Sequence, residues 1–226
     1  MVIKIDRAAI QRENILRNSY SLFKELGYSN TTTREIARAC GINKGLLHYY
    51  YKQKEDIIFE MFSAFLTGLK SYVDLNCKEK ISGLTYYATL NILFFKIMNE
   101  NEYFSNMLYE MMMHRTLTRI KIEKSVDICY KIIEDYNMPI TRYQLNLAIT
   151  VAVGAEAELI FSMNENKIKM TYNKLATTIN KLLFTMLKIT EAEIKKINEE
   201  AIKYADNINT DDILIYIRQC NTWVQD

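Results

Sequence analysis

Few residues in this sequence can interrupt an α-helix. Proline occurs once, at Pro139, and glycine occurs six times among the 226 residues. These two residue types destabilise helix interiors more than any others. Apolar residues recur at intervals of three and four, as at Leu16, Phe23 and Leu26, which is the period of a helix with one buried face. The sequence therefore predicts an all-α protein with about ten helices.

Turn and capping residues divide the N-terminal part into short helices. The first helix is expected to end at Gly27, because glycine readily adopts the left-handed conformation that follows many helices. Thr32 and Glu35 have the spacing of a capping box, which starts the second helix. Gly41 then turns the chain. We predict the first helix over about 6–26 and the second from the capping box to about 40. The third runs from 43 or 44 to 50 or 51, and the fourth starts at about 54.

The remaining chain continues as helices, and two of them indicate a partner surface. From Leu145 to Phe161 the chain is apolar nearly all round, so we expect burial on more than one side. The next helix carries an apolar stripe through Leu175 and Ile179. Two such helices predict half of an intersubunit four-helix bundle, or alternatively two core helices of a monomer. Further helices are expected near 81–98, 102–113, 115–136, 141–163, 167–188, 191–206 and 210–222.

Composition narrows the class of protein and its location. Hydrophobic residues make up 49% and charged residues 25% of the chain, as in ordinary globular proteins. The longest uncharged run is 81–95, shorter than the roughly 20 residues of a membrane span. The N-terminus has no apolar signal-peptide core. We therefore expect a cytoplasmic protein that is not in a membrane. Residues 1–60 hold ten Lys/Arg against seven Asp/Glu, a mild excess that favours an anionic partner.

One segment carries a specific motif. Residues 23–58 read F-K-E-L-G-Y-S-N-T-T-T-R-E-I-A-R-A-C-G-I-N-K-G-L-L-H-Y-Y-Y-K-Q-K-E-D-I-I. Two short helices joined by a glycine turn form a helix-turn-helix arrangement. In detail the segment closely resembles the DNA-binding signature of the TetR-type (tetracycline-repressor) family, over about residues 10–60.

This resemblance implies both an architecture and a function. It implies an N-terminal three-helix helix-turn-helix DNA-binding head over 1–53 and a C-terminal helical ligand-binding and dimerisation domain over 54–226. A homodimer would bind double-stranded DNA at a palindromic operator. A small-molecule inducer of unknown identity would release it, so that the usual outcome is relieved repression. An activator that needs no small-molecule inducer, or a helical protein-interaction module, is the alternative.

The third helix would enter the major groove, whose base edges distinguish all four base pairs. Lys44 at its start could donate to guanine, and Gly45 would let the backbone approach the DNA. Leu46 offers only an apolar contact. We expect Leu47 and Tyr51 to face the protein core instead. The candidate DNA contacts are Thr33, Lys44, Gly45, Leu46, His48, Tyr49, Tyr50 and Lys54.

The second half is rich in methionine and aromatic residues, which form adaptable pockets as well as ordinary cores. Glu156 projects from an apolar helix face, and burying an unpaired charge is costly. It either binds a cationic or hydroxylated ligand or pairs with an Arg, Lys or Tyr of the chain. The candidate ligand-binding residues are Tyr109, Met112, His114, Glu156 and Phe161.

No motif indicates an enzyme. The sequence has no Gly-rich phosphate loop, no G-x-S-x-G and no nucleophile with a nearby base. Its four cysteines and two histidines do not have zinc-site spacing. We therefore predict a binding protein that needs neither a metal nor a cofactor.

Overall fold

The computed structural model describes residues 6–76, 81–113, 115–135 and 138–223. Within these ranges the chain forms eleven helices and no strand, so the all-α prediction is confirmed. The helices are α1 Arg7–Leu26, α2 Thr33–Ala39, α3 Lys44–Tyr50, α4 Lys54–Asn76, α5 Gly83–Glu100, α6 Glu102–Met113, α7 Thr116–Asp135, α8 Arg142–Asn164, α9 Tyr172–Met186, α10 Glu191–Asp206 and α11 Thr210–Cys220.

The local signals that were read from the sequence define the helix ends. Gly27 follows α1 with φ of 83°, a conformation that L side chains rarely adopt. Thr32 and Glu35 form the reciprocal capping box of α2. The largest difference lies at α9, which starts at Tyr172 rather than near 167, because the Thr171 hydroxyl accepts a hydrogen bond from the Lys174 amide and caps the helix there.

Helices α1–α3 form the head, and their packing fixes the orientation of α3. Phe23 of α1 meets Tyr28 edge to face, with 5.3 Å between ring centroids. Both rings are buried, as is Leu47 on the inner face of α3. Tyr51, directly after α3, is also buried. The expectation that Leu47 and Tyr51 belong to the core is confirmed.

The remaining helices form the body around α5. This helix is buried along most of its surface and packs against α7, α9 and α10. Helix α4 leads from the head into the body, where it packs against α7 and α11. The head and the body are therefore joined by a continuous helix rather than by a flexible linker.

Helix α8 differs from its prediction. Only one of its faces is buried within the chain, against α7 and α9, whereas we expected burial on more than one side. The opposite face leaves Tyr143, Leu147 and Val151 exposed, with open space around Gly154. Among the described residues α8 is also the one helix long and apolar enough to cross a membrane. Its buried face packs like that of a core helix.

The last two helices pack against α5 and α4 of the body. Lys96 of α5 donates to the carbonyl oxygens of Ala205 and Ile208 at the end of α10, at 3.2 and 2.9 Å. Helix α11 lies so close to α4 that a Cβ on Gly68 would come within 2.7 Å of Ile217. This contact explains why a residue without a side chain occupies position 68.

Residues after α11 contact α1 directly. The Trp223 ring meets Tyr20 edge to face at 5.9 Å between centroids, and the Thr222 hydroxyl donates to Glu13 at 2.7 Å. These two contacts join positions that lie about two hundred residues apart in sequence. The segment 221–223 therefore ties the body to the head.

Replacing Trp223 with alanine is expected to lower the free energy of unfolding by about 1–2 kcal/mol, through loss of the ring contact and of buried apolar area. Urea unfolding followed by circular dichroism measures this. Trp223→Phe, which keeps a ring against Tyr20, should recover most of the loss. Equal stability of the alanine variant and the unaltered chain would show that the tie contributes nothing.

Candidate nucleic-acid interface

Helix α3 presents two chemically distinct faces. Its outer face exposes Lys44, Gly45 and Leu46, together with Tyr49, of which 74% is accessible. His48 and Tyr50 are half-buried at the edges of this face. A basic group, a bare backbone and a large exposed aromatic ring on one short helix suit contact with a DNA groove.

The start of α3 is fixed by a side-chain cap. The Asn43 side chain accepts a hydrogen bond from the Leu46 amide at 2.8 Å, which compensates for the weak helix propensity of the residues that follow. A Cβ on Gly45 would lie 3.2 Å from this same Asn43 oxygen. Gly45 therefore keeps the cap undisturbed as well as leaving the outer face open.

Thr33, the first residue of α2, is half-buried beside the cap formed by Thr32. The Thr32 hydroxyl accepts from the Glu35 amide, and Glu35 accepts in return from the Thr32 amide at 2.8 Å. The hydrogen bonds from Thr32 hold the pKa of the Glu35 carboxyl below its usual value. The remaining amides of this first turn are the groups that could receive a phosphate.

Lys54 has a structural role that the sequence did not indicate. Its ammonium donates to the carbonyl oxygens of Tyr28 and Thr31 at 2.6 and 2.8 Å, and it lies 4.1 Å from the centre of the Tyr28 ring. Burial lowers the pKa of Lys54, against the opposing charge of Glu55. Two of its three N–H groups thus hold the first turn of α4 to the connection between α1 and α2. The phosphate contact predicted for Lys54 stays a prediction.

Replacing Lys54 with alanine is therefore expected to have two separate effects. The head should lose about 1–3 kcal/mol of stability, since hydrogen bonds from a charged donor are stronger than neutral ones. Operator and scrambled DNA should be bound more weakly to the same extent, with the salt dependence reduced by about one counterion if Lys54 also contacts a phosphate. Thermal unfolding and salt titrations of DNA binding measure the two effects. An unchanged salt slope would assign Lys54 to structure alone.

Two further clusters connect the head to the body. The Arg12 guanidinium binds Glu60 of α4 at 2.8 Å and lies over the Tyr51 ring at 5.1 Å from its centre. Glu110 of α6 accepts a hydrogen bond from the Ser29 amide at 3.0 Å. The head therefore contacts both α4 and α6 of the body.

One family model matches the head. Residues 15–61 match the model of the family described as bacterial regulatory proteins, tetR family. This match covers α2, α3, most of α1 and the start of α4. Over these residues the head is similar to the tetR family of bacterial regulatory proteins.

Curated relatives align with part of the chain. The HTH-type transcriptional regulator YerO of Bacillus subtilis is 32% identical over 73 residues, which is 32% of this chain and 25% of YerO. The chain thus aligns with a quarter of the length of this relative. The other relatives that match it include the HTH-type transcriptional repressor KstR2 of Rhodococcus jostii, 36% identical over 84 residues, with 37% of this chain and 39% of KstR2 covered.

Solved structures extend the likeness to the fold of the body. FadR of Thermus thermophilus, a TetR-family repressor in complex with lauroyl-CoA, superposes with a TM-score of 0.58 at 19% identity, covering 80% of this chain and 96% of FadR. RolR in complex with resorcinol gives a TM-score of 0.60 at 16% identity, covering 86% and 96%. The helical fold of the body is therefore similar to that of these two solved structures.

In the body, the predicted ligand-binding residues lie in different environments. Tyr109 of α6 and Phe161 of α8 meet edge to face at 5.5 Å between ring centroids. Met112 is buried. His114 lies outside the described residues. Glu156 is 1% exposed, and its carboxylate faces inward.

Glu156 pairs with a lysine that sequence reasoning missed. Lys121 of α7 is 6% exposed and donates to both carboxylate oxygens of Glu156 at 2.6 Å. Its ammonium also lies 4.1 Å from the centre of the Phe94 ring. Burial raises the pKa of Glu156 and lowers that of Lys121, while each partner's charge opposes the shift of the other. Of the two alternatives for Glu156, the structure confirms pairing with a residue of the chain.

The pair continues into a buried chain of amides. Lys121 donates to the Asn91 side-chain oxygen at 3.3 Å, and Asn91 donates to Asn180 at 3.0 Å. Asn180 in turn donates to Asn198 at 3.0 Å. These residues belong to α7, α5, α9 and α10, and Glu156 adds α8. One polar network therefore crosses five helices of the body.

A cavity opens beside this network between α4, α5 and α7. The empty space in the cavity is ≈ 440 Å³, and part of it is open to solvent. Tyr109, Met112, Glu156 and Phe161 do not line this cavity. Its walls are Leu66, Leu69, Tyr87, Leu90, Asn91, Phe94, Lys121, Lys124, Ser125 and Ile128.

Proposed function

We propose that this chain is a cytoplasmic, ligand-responsive transcriptional repressor that binds a palindromic DNA operator as a homodimer. Residues 1–53 would form the DNA-binding domain and residues 54–226 the ligand-binding and dimerisation domain. The observation that carries the proposal is the TetR-type head with an outer face of α3 that is open for DNA. The chain acts by binding rather than by catalysis.

The proposed base contacts come from this outer face. Lys44 donates to guanine in the major groove, the backbone at Gly45 approaches the DNA, and Leu46 meets an apolar base edge such as a thymine methyl group. His48, Tyr49 and Tyr50 reach phosphates or base edges. Thr33 and Lys54 hold phosphates on either side of the groove.

The exposed face of α8 supports the homodimer. Tyr143, Leu147 and Val151 form an exposed apolar stripe, and Gly154 next to it would let another backbone come close. A second copy would bury this stripe through α8 and α9, as in an intersubunit four-helix bundle. The two α3 helices would then face half-sites about one helical turn apart.

The double substitution Leu147→Asp and Val151→Asp is expected to convert the dimer to a monomer, because it places charges in the centre of an apolar interface. Analytical ultracentrifugation measures the change, and operator affinity should fall with it. Ile215→Asp is the matched control, since Ile215 is an exposed apolar residue on another helix. A doubly substituted chain that remains dimeric would place the interface elsewhere.

Filter binding with the DNA that flanks the chain's own gene tests the function as a whole. We expect specific retention at modest salt that a small molecule in cell extract reverses. If no DNA is specifically retained, with or without extract, the regulator proposal is wrong. Retention that no extract changes would contradict the ligand response alone and favour a regulator without an inducer.

A further inference from the structure

The cavity between α4, α5 and α7 is lined in part by a buried charged residue, Lys121. Its walls are mainly apolar, with Leu66, Leu69 and Phe94 among them. Its polar lining residues include Asn91 and Lys121, which are buried, and Lys124, which is half-buried. A mainly apolar pocket with a few convergent polar groups is the usual form of a small-molecule site.

The hydrogen bonds at the cavity wall are of unequal strength. Lys121 binds both oxygens of Glu156 at 2.6 Å, whereas its bond to Asn91 is 3.3 Å long. The Asn91–Lys121 bond is therefore the one that a ligand can most easily replace. A hydroxyl or carbonyl oxygen in the cavity would accept from Lys121 or from Asn91 and leave the ion pair intact.

The ion pair also determines which charge the cavity tolerates. Lys121 and Glu156 together carry no net charge, and both are nearly inaccessible to water. An anionic ligand group beside Lys121 would also lie close to the Glu156 carboxylate, and a cationic group would compete with Lys121 for it. Beside this ion pair, either would bury an uncompensated charge, which is costly.

We propose that this cavity is the effector site, and that its ligand is a neutral molecule with an apolar body and one hydroxyl or carbonyl group that hydrogen bonds to Lys121 or Asn91. The inference rests on the proposed ligand response and adds the chemical class of the effector. The polar group of the ligand would lie beside Lys121 and Asn91, and its apolar body would lie against the apolar walls of the ≈ 440 Å³ space. Leu66 and Ile128, both half-buried, line this cavity.

Four probes of similar shape and different charge test the class directly. They are p-propylphenol, propylbenzene, p-propylbenzoate and p-propylbenzylamine, titrated into the full chain by calorimetry without DNA. We expect p-propylphenol to bind at least about tenfold more tightly than each of the others, since one additional hydrogen bond at a buried site is worth about that factor. Equal binding of p-propylphenol and propylbenzene, tighter binding of either charged probe, or no binding of any probe would overturn the inference.

A double substitution tests whether the preference for p-propylphenol depends on the buried ion pair. Lys121→Met with Glu156→Leu removes both buried charges at similar volume, a change that buried ion pairs often tolerate, and it should reduce the preference for p-propylphenol over propylbenzene to about twofold or less. Lys181→Met with Glu191→Leu removes an exposed pair and should leave the preference unchanged. Loss of preference in the exposed-pair variant, or its retention in the buried-pair variant, would contradict the assignment. If the buried-pair variant does not fold, the order of the four probe affinities for the unaltered chain still tests the inference.

The two proposals fail in different ways. A chain that retains its flanking DNA specifically but binds none of the probes contradicts this inference and leaves the DNA-binding function in place. A chain that binds p-propylphenol selectively but retains no specific DNA contradicts the proposed function and leaves the ligand class in place.

Discussion

Replacing Lys121 with methionine is expected to lower the free energy of unfolding by about 3–5 kcal/mol near neutral pH, the usual effect of removing one partner from a buried ion pair. The reason is that Glu156, 1% exposed, loses the donor that binds both of its oxygens. Chemical unfolding followed by circular dichroism measures the loss. Lys181→Met, which breaks an exposed pair, should change stability by less than about 1 kcal/mol.

The destabilisation should depend on pH in a defined direction. Burial raises the pKa of Glu156, and Lys121 opposes that increase, so removing Lys121 raises this pKa further. The folded variant then binds a proton more tightly than the unfolded chain, and its stability falls as pH rises from the unfolded pKa of glutamate through the raised folded value. Relative to the unaltered chain, Lys121→Met should therefore be less destabilised at pH 5 than at pH 8.

The double variant Lys121→Met with Glu156→Leu separates charge from packing. If the loss arises from an unpaired carboxylate, removing that carboxylate as well should recover most of the stability and abolish the pH dependence. A double variant as unstable as the single one would show that packing around Phe94, which lies against the Lys121 ammonium, accounts for the effect instead.

Replacing Lys44 with alanine is expected to weaken operator binding by about 1–3 kcal/mol and to relax its sequence preference, because a guanine contact in the major groove is lost. The fold should be unaffected, since Lys44 is exposed on the outer face of α3. Titrations against operator and scrambled duplexes at fixed salt measure both quantities. Lys203→Ala, which removes an exposed lysine from α10, is the matched control for net charge.

The losses of affinity for operator and for scrambled DNA, compared with each other, show what Lys44 contacts. A larger loss on operator than on scrambled DNA supports base recognition. Equal losses on the two duplexes would reassign Lys44 to a phosphate, and no loss on either would remove it from the interface.

Local signals in the sequence predicted the head well. Gly27 and the Thr32–Glu35 capping box act within a few residues, so their roles are visible in sequence spacing. Leu47 and Tyr51 were placed in the core because the resemblance to TetR-type heads supplied the orientation of α3. The second role of Lys54 was missed, since its acceptors are backbone carbonyl oxygens that no side-chain pattern indicates.

The body was predicted less completely for a physical reason. The partner of Glu156 lies 35 residues away, and Asn91 and Asn180 are 89 residues apart, so their pairing depends on helix packing rather than on local periodicity. A charged residue on an apolar face, as at Lys121 between Ile120 and Ile122, was the one available signal. Similarly, the apolar pattern of α8 does not show that only one of its faces is buried within the chain.

Quantitative footprinting on the DNA that flanks the chain's own gene tests the central claim most directly. A dimeric regulator that reads the major groove with α3 should protect two half-sites related by a dyad, with centres roughly 10 base pairs apart or a multiple of that distance. Leu147→Asp with Val151→Asp should abolish the protection, and Ile215→Asp should preserve it. Uniform protection at all positions, appearing only when the DNA is saturated with protein, would contradict the account.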